Sequence, residues 1–148
     1  MPSVLQNPNN IMTYIIDKQN LKIEEIAQRY CLKLVLLFGS QSSGRVHKES
    51  DVDIAYIPDK SLDFNQEYHL NYEFTKVFQK DRVDTVDIKK ANPLLMYAVF
   101  QHPRILFQSD ESIFSQYRTY AFKRYIEAKP LYEEKARRLR EHINIMQS

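Results

Sequence analysis

Glycine is scarce in this chain. Its 148 residues include only two, Gly39 and Gly44, where average usage of about 7% would give roughly ten. Both fall within six residues of each other, which marks one place where the backbone must do what only glycine allows. A single cysteine, Cys31, excludes an internal disulfide framework and a zinc site of several thiolates, and suits a reducing cytoplasm. Long hydrophobic runs are also missing. The longest, such as Leu34–Phe38, are far too short to span a bilayer, no signal-like segment stands before them, and a membrane protein is not expected. Charge of one sign is not in excess: 21 Lys+Arg stand against 19 Asp+Glu, so the balance does not point to nucleic acid. The four histidines, His47, His69, His102 and His142, show no metal-ligand spacing.

What is present suits a soluble globular fold. Hydrophobic residues are 43% and charged residues 27%, enough apolar surface to offset chain entropy in a single domain. Ile11, Tyr14 and Ile15, then Ile23, Ile26, Ala27 and Tyr30, recur at helical spacing and suggest two short amphipathic helices. Leu34–Phe38 reads as a buried central strand stopped by Gly39, and Asp51–Ile57 as an alternating strand ended by Pro58. Gln66–Gln79 reads as a helix with Tyr68, Tyr72, Phe74 and Phe78 toward the core. Val83–Ile88 is a strand by its β-branched content. Pro93 opens a helix to about Gln101, Arg104–Gln108 is an edge strand, and Ser112 begins a long helix interrupted or kinked near Pro130. The sum is an α/β (α+β) domain: a small mixed sheet with helices mainly on one face, a core over about 20–108, and a helical extension over about 112–147.

The chemistry concentrates between the first two strands. After Gly39 the chain can turn without a Cβ clash, and Ser40 can cap a following helix whose free N–H groups favour phosphate. Asp51 and Asp53 are two positions apart, so a strand places both carboxylates on one face, with their Cα atoms about 6–7 Å apart. Carboxylate oxygens beside a phosphate cradle are the ligand set of Mg²⁺. A Gly-Ser pair or an Asp-x-Asp alone means little; their joint placement on successive strands is the informative feature.

Gly39-Ser40, ten intervening residues and Asp51-Val52-Asp53 resemble the signature of the DNA polymerase β-like nucleotidyltransferases, and among them the minimal nucleotidyltransferases (MNT). The resemblance covers roughly residues 20–108. It implies a palm-like nucleotidyltransferase fold and transfer of a nucleoside monophosphate from a triphosphate to a hydroxyl. Gly39 and Ser40 would bind substrate phosphates, Asp51 and Asp53 would hold two Mg²⁺ ions, and a third carboxylate on a later strand would complete the set. Within Val83-Asp84-Thr85-Val86-Asp87, Asp84 fits that role by position and Asp87 is the alternative. Many small MNT proteins are antitoxins of HEPN-domain ribonuclease toxins. The resemblance thus implies transfer of AMP from ATP to a toxin hydroxyl, such as a tyrosine. A toxin-binding antitoxin that does not use catalysis, and a transferase acting on RNA or a small molecule, remain the alternatives.

The C-terminal stretch adds an apolar stripe, Tyr132, Ala136, Leu139, Ile143 and Met146, with Lys135, Arg137, Arg138 and Arg140 on the other faces. It docks either on the domain itself or on a partner, in a hetero-oligomer. Glu133, Glu134 and Glu141 dilute its basic character, so nucleic acid is not expected as a direct ligand.

Overall fold

The structure is a computed structural model that describes residues 8–39 and 52–147. Its elements are α1 (Pro8–Arg29), β1 (Leu32–Phe38), β2 (Val52–Pro58), α2 (Phe64–Phe78), β3 (Val83–Asp87), a single 3₁₀ turn (Ile88–Lys90), α3 (Pro93–Gln101), β4 (Arg104–Gln108) and α4 (Ile113–Gln147). The four strands form one sheet in the order β3-β2-β1-β4. β1 runs antiparallel to both β2 and β4, while β2 and β3 are parallel.

The apolar run of β1 sits in the middle of this sheet because both of its faces are covered. Leu34 and Leu36 belong to one core cluster, and Leu32, Val35 and Leu37 to the other. Leu32 and Val35 can share a face because the register against β2 shifts between Leu32 and Leu34, as a bulge allows. On the first face, Ile23, Ile26 and Ala27 of α1 and Leu70, Phe74 and Val77 of α2 cover Val35, Ile54 and Tyr56. On the second, Met96, Val99 and Phe100 of α3 and Ala121 of α4 cover Leu34, Leu36, Ala55 and Ile57. The mixed α/β class is as expected, but helices cover both faces rather than mainly one.

Local chemistry explains the helix ends. Asp63 accepts from the Gln66 N–H at 2.8 Å, and the Gln66 side chain accepts from the Asp63 N–H at 2.9 Å, a reciprocal capping box that starts α2. Asn92 accepts from the Leu95 N–H at 2.8 Å, and Pro93 occupies the first turn of α3, where its missing donor costs nothing.

Four expectations change. The two N-terminal helices are one, α1, because neither Gly nor Pro interrupts the chain between Asn9 and Arg29. The third strand stops at Asp87, where Ile88 enters the 3₁₀ turn. Tyr68 and Tyr72 face solvent, at 65% and 56% exposure; the buried set Leu70, Phe74, Val77 keeps the i, i+4, i+7 spacing of a single face. α4 passes Pro130 without interruption, on an exposed stretch where water can satisfy the carbonyl that loses its donor. Among the described residues no helix is long and apolar enough to cross a membrane.

Burial therefore separates two aromatics of one helix. Phe74→Ala, at a fully buried site, should cost about 3–5 kcal/mol, and Tyr72→Ala no more than about 0.5 kcal/mol. Urea denaturation of both variants checks this.

Candidate active site

Strand pairing assembles the site. Phe38, the last residue of β1, lies opposite Asp53, and Asp53 lies opposite Asp84 on β3. Neighbouring strands are about 4.8 Å apart, so an in-register pair of side chains on one face stands side by side. Side-chain alternation shows that Asp53 and Asp84 do share a face. On β2, Ile54 and Tyr56 point toward α1 and α2, while Ala55 and Ile57 join the α3–α4 cluster, which puts Asp53 on the α3–α4 side. On β3, Val83 packs with the α1–α2 cluster and Val86 with the other. Asn71 of α2 donates to Thr85 Oγ1 at 3.2 Å and to the Val83 carbonyl at 2.8 Å, fixing Thr85 on the α2 side. Asp84 therefore shares the α3–α4 side with Asp53.

Gly39 abuts the same carboxylate. Its φ is +73°, and a Cβ added there would meet Asp53 Oδ2 at 2.4 Å. Left-handed backbone and close approach make the same demand, and glycine meets both. Gly39 is thereby pressed against the carboxylate of Asp53, the second residue of β2.

Asp87 has a different environment. It is 8% exposed, lies on the α2 side, and accepts from the Lys89 N–H at 2.9 Å, capping the 3₁₀ turn. Burial, foremost, pushes its pKa up; the Lys89 N–H and Lys90 pull the other way, and Glu67 adds to the rise. Opposite it, Tyr56 has its phenol pKa raised by burial, then by Asp87 and Glu67. Asp87 thus has a structural task in a pocket of low polarity. Asp84 by contrast is half exposed, with Arg82 Nε 3.9 Å from its Oδ1, a distance and exposure at which an ion pair contributes little. Arg82, the residue just before β3, was not singled out from sequence.

Ser40 and Asp51 lie outside the described residues. Among the described residues no group of three or more His, Cys, Asp or Glu side chains gathers; of the three acids read from the sequence, two, Asp53 and Asp84, come together there. Their oxygens are hard donors reachable from solvent, the chemistry that suits Mg²⁺. A cleft lined by Arg29, Cys31, Asp59 and Lys60 lies at the opposite end of β1 and β2 from Gly39 and has no part in this arrangement.

A family profile described as polymerase beta, nucleotidyltransferase, matches residues 21–112. The protein adenylyltransferase MntA of Shewanella oneidensis is 34% identical over 86 residues, which are 57% of this chain and 61% of that protein; the match spans under two thirds of the relative. Among solved structures, a toxin–antitoxin with AMP-PNP is similar with a TM-score of 0.65 and 24% identity, over 79% of this chain and 98% of that one. A tri-AMPylated Shewanella oneidensis HEPN toxin in complex with MNT antitoxin offers a chain similar at TM-score 0.62 and 20% identity, over 82% and 98%. These structures share the fold.

The contact between Gly39 and Asp53 has a measurable cost. Gly39→Ala should destabilise the fold by about 1–2 kcal/mol through its left-handed φ and further through displacement of the Asp53 carboxylate, and by the φ contribution alone when Asp53 is also replaced by Ala. A thermodynamic cycle of the two variants by urea denaturation separates backbone strain from the clash with the carboxylate.

Proposed function

Since the chain belongs to the polymerase beta nucleotidyltransferase family, we propose that it is a Mg²⁺-dependent protein adenylyltransferase. It moves AMP from ATP to a hydroxyl, a tyrosine, of a partner HEPN ribonuclease toxin in the cytoplasm, and so acts as that toxin's antitoxin. The observation that carries the reading is the in-register Asp53–Asp84 pair beside the Gly39 turn. Relatives supply the direction: one is named a protein adenylyltransferase, one is described with AMP-PNP and one with a tri-AMPylated HEPN toxin.

Asp51, Asp53 and Asp84 would hold the metal, in two ions. Bound there, Mg²⁺ supplies Lewis acidity toward the acceptor hydroxyl and the phosphate oxygens. The chain's own groups orient the rest. Gly39 and Ser40 would cradle the β- and γ-phosphates, the absence of a Cβ at Gly39 leaving room for Asp53 to stay beside them. The acceptor oxygen attacks the α-phosphorus, the bond to the bridging oxygen breaks, and pyrophosphate leaves. Asp84, half exposed on β3, would take the hydroxyl proton. The solvent access of Asp84 and the capping task of Asp87 both favour Asp84 as the third acid.

The test uses α-labelled ATP, Mg²⁺ and a HEPN toxin. Asp53→Asn and Asp84→Asn should each lower label transfer at least about a hundredfold, while Asp87→Asn, which keeps an oxygen for the Lys89 N–H, stays within a few-fold of the parent. EDTA should stop the reaction. Activity in Asp84→Asn with loss in Asp87→Asn would reverse the assignment. Full neutralisation of the toxin by the Asp53→Asn, Asp84→Asn double variant would replace catalysis with simple contact, and label only on RNA or a small molecule would remove the protein acceptor.

A further inference from the structure

α4 carries one apolar face along its whole length, but the domain covers only the first half of it. In that half Ala121 is fully buried, Phe114 and Tyr117 pack on the sheet cluster, and Tyr125 stacks on Tyr97 of α3 with ring centroids 3.9 Å apart. At about 100° per residue the same face continues through Tyr132, Ala136, Leu139, Ile143 and Met146. There α3 has ended, and Leu139, Ile143 and Met146 are 60%, 43% and 74% exposed.

Charge placement identifies what fits this stripe. On the opposite ridge Arg137 bonds Glu134 and Glu141, and Arg138 bonds Glu134, so those acids are already engaged. The stripe itself is edged by Lys135 on one side and by Arg140 on the other, where Glu133 is already paired with Lys129 at 4.0 Å; Lys135 and Arg140 are exposed and without an ion pair among the described residues. A second copy of the helix would bring basic edges against basic edges. An amphipathic helix with acidic flanks would match both features. The stripe is about 21 Å long, too little area for a stable complex by itself when about 800 Å² per partner is usual. Its occupant must therefore touch this chain elsewhere as well. α4 packs on the sheet face that carries Asp53 and Asp84, so a protein presenting a hydroxyl to that pair is on the right side to do so.

We propose that the distal half of α4, Tyr132–Met146, is the docking surface for the acceptor protein of the reaction above, through an apolar helix of that protein with acidic flanks. The inference rests on that reading of the chain as a protein adenylyltransferase. It is tested by AMP transfer to a HEPN-domain toxin, with kcat and KM measured separately, and by sedimentation of each protein alone. Leu139→Glu with Ile143→Glu should raise KM for the toxin at least about tenfold and leave kcat at saturation and the thermal melt unchanged, since both side chains are exposed. Lys135→Glu with Arg140→Glu should raise KM about threefold or more and flatten its dependence on salt. An unchanged KM in both double variants, with transfer intact, overturns the docking surface and leaves the transferase reading standing. A wild-type dimer that Leu139→Glu with Ile143→Glu dissociates also overturns it, in favour of a second copy. No transfer by the wild-type chain to the toxin overturns the transferase reading itself.

Discussion

The antiparallel pairing of β1 with β2 governs the rest of the molecule. Its register sets Phe38 across from Asp53, and one residue further the chain must leave the sheet past that carboxylate. Only a residue with no side chain and a free choice of φ can do so, and Gly39 stands there at φ +73°. The same pairing holds β2 in the sheet's interior, which gives β3 an edge to join in parallel and brings Asp84 level with Asp53. A slip of one residue in either ladder would send one of the acids to the α1–α2 face. Positioning of the site is thus a consequence of sheet register, and the burial of both sheet faces is what makes that register costly to change.

Two layers of helix enforce it. α1 and α2 on one side, α3 and the first half of α4 on the other, bury the alternating side chains of β1 and β2. The carboxylate pair escapes burial because it sits where β2 and β3 begin, at the margin of the α3–α4 layer, whereas Asp87 at the far end of β3 is enclosed against α2. Position along one five-residue strand therefore separates a solvent-accessible acid from a structural one. The difference is visible in what each touches: Asp84 has a distant guanidinium, and Asp87 has a backbone N–H in a buried turn.

The division of α4 follows from reach. A 35-residue helix is about 52 Å long, far longer than the nine-residue α3 it lies against. Its apolar periodicity does not stop where the domain does, which leaves a hydrophobic stripe in water with basic edges. Such a stripe is costly to keep exposed, and surfaces of this kind ordinarily mark an interaction site.

Much of this could be read along the chain. Strand and helix types, the Gly39 turn, the spacing to Asp53 and the amphipathic C-terminal helix are local matters, set by hydrophobic period, by caps such as Asp63 with Gln66, and by the conformational freedom of glycine. Which aromatic of α2 is buried was not local: Tyr68 and Phe74 are equally apolar in body, and only the position of the neighbouring sheet selects the Leu70–Phe74–Val77 face. Likewise Asp84 and Asp87 differ by three positions on one strand, and their separate roles depend on which strand pairs with β3 and in what register. Burial and strand pairing join residues distant in the chain. For that reason the tertiary structure alone decided which carboxylates stand together and where the apolar face of α4 runs out of cover.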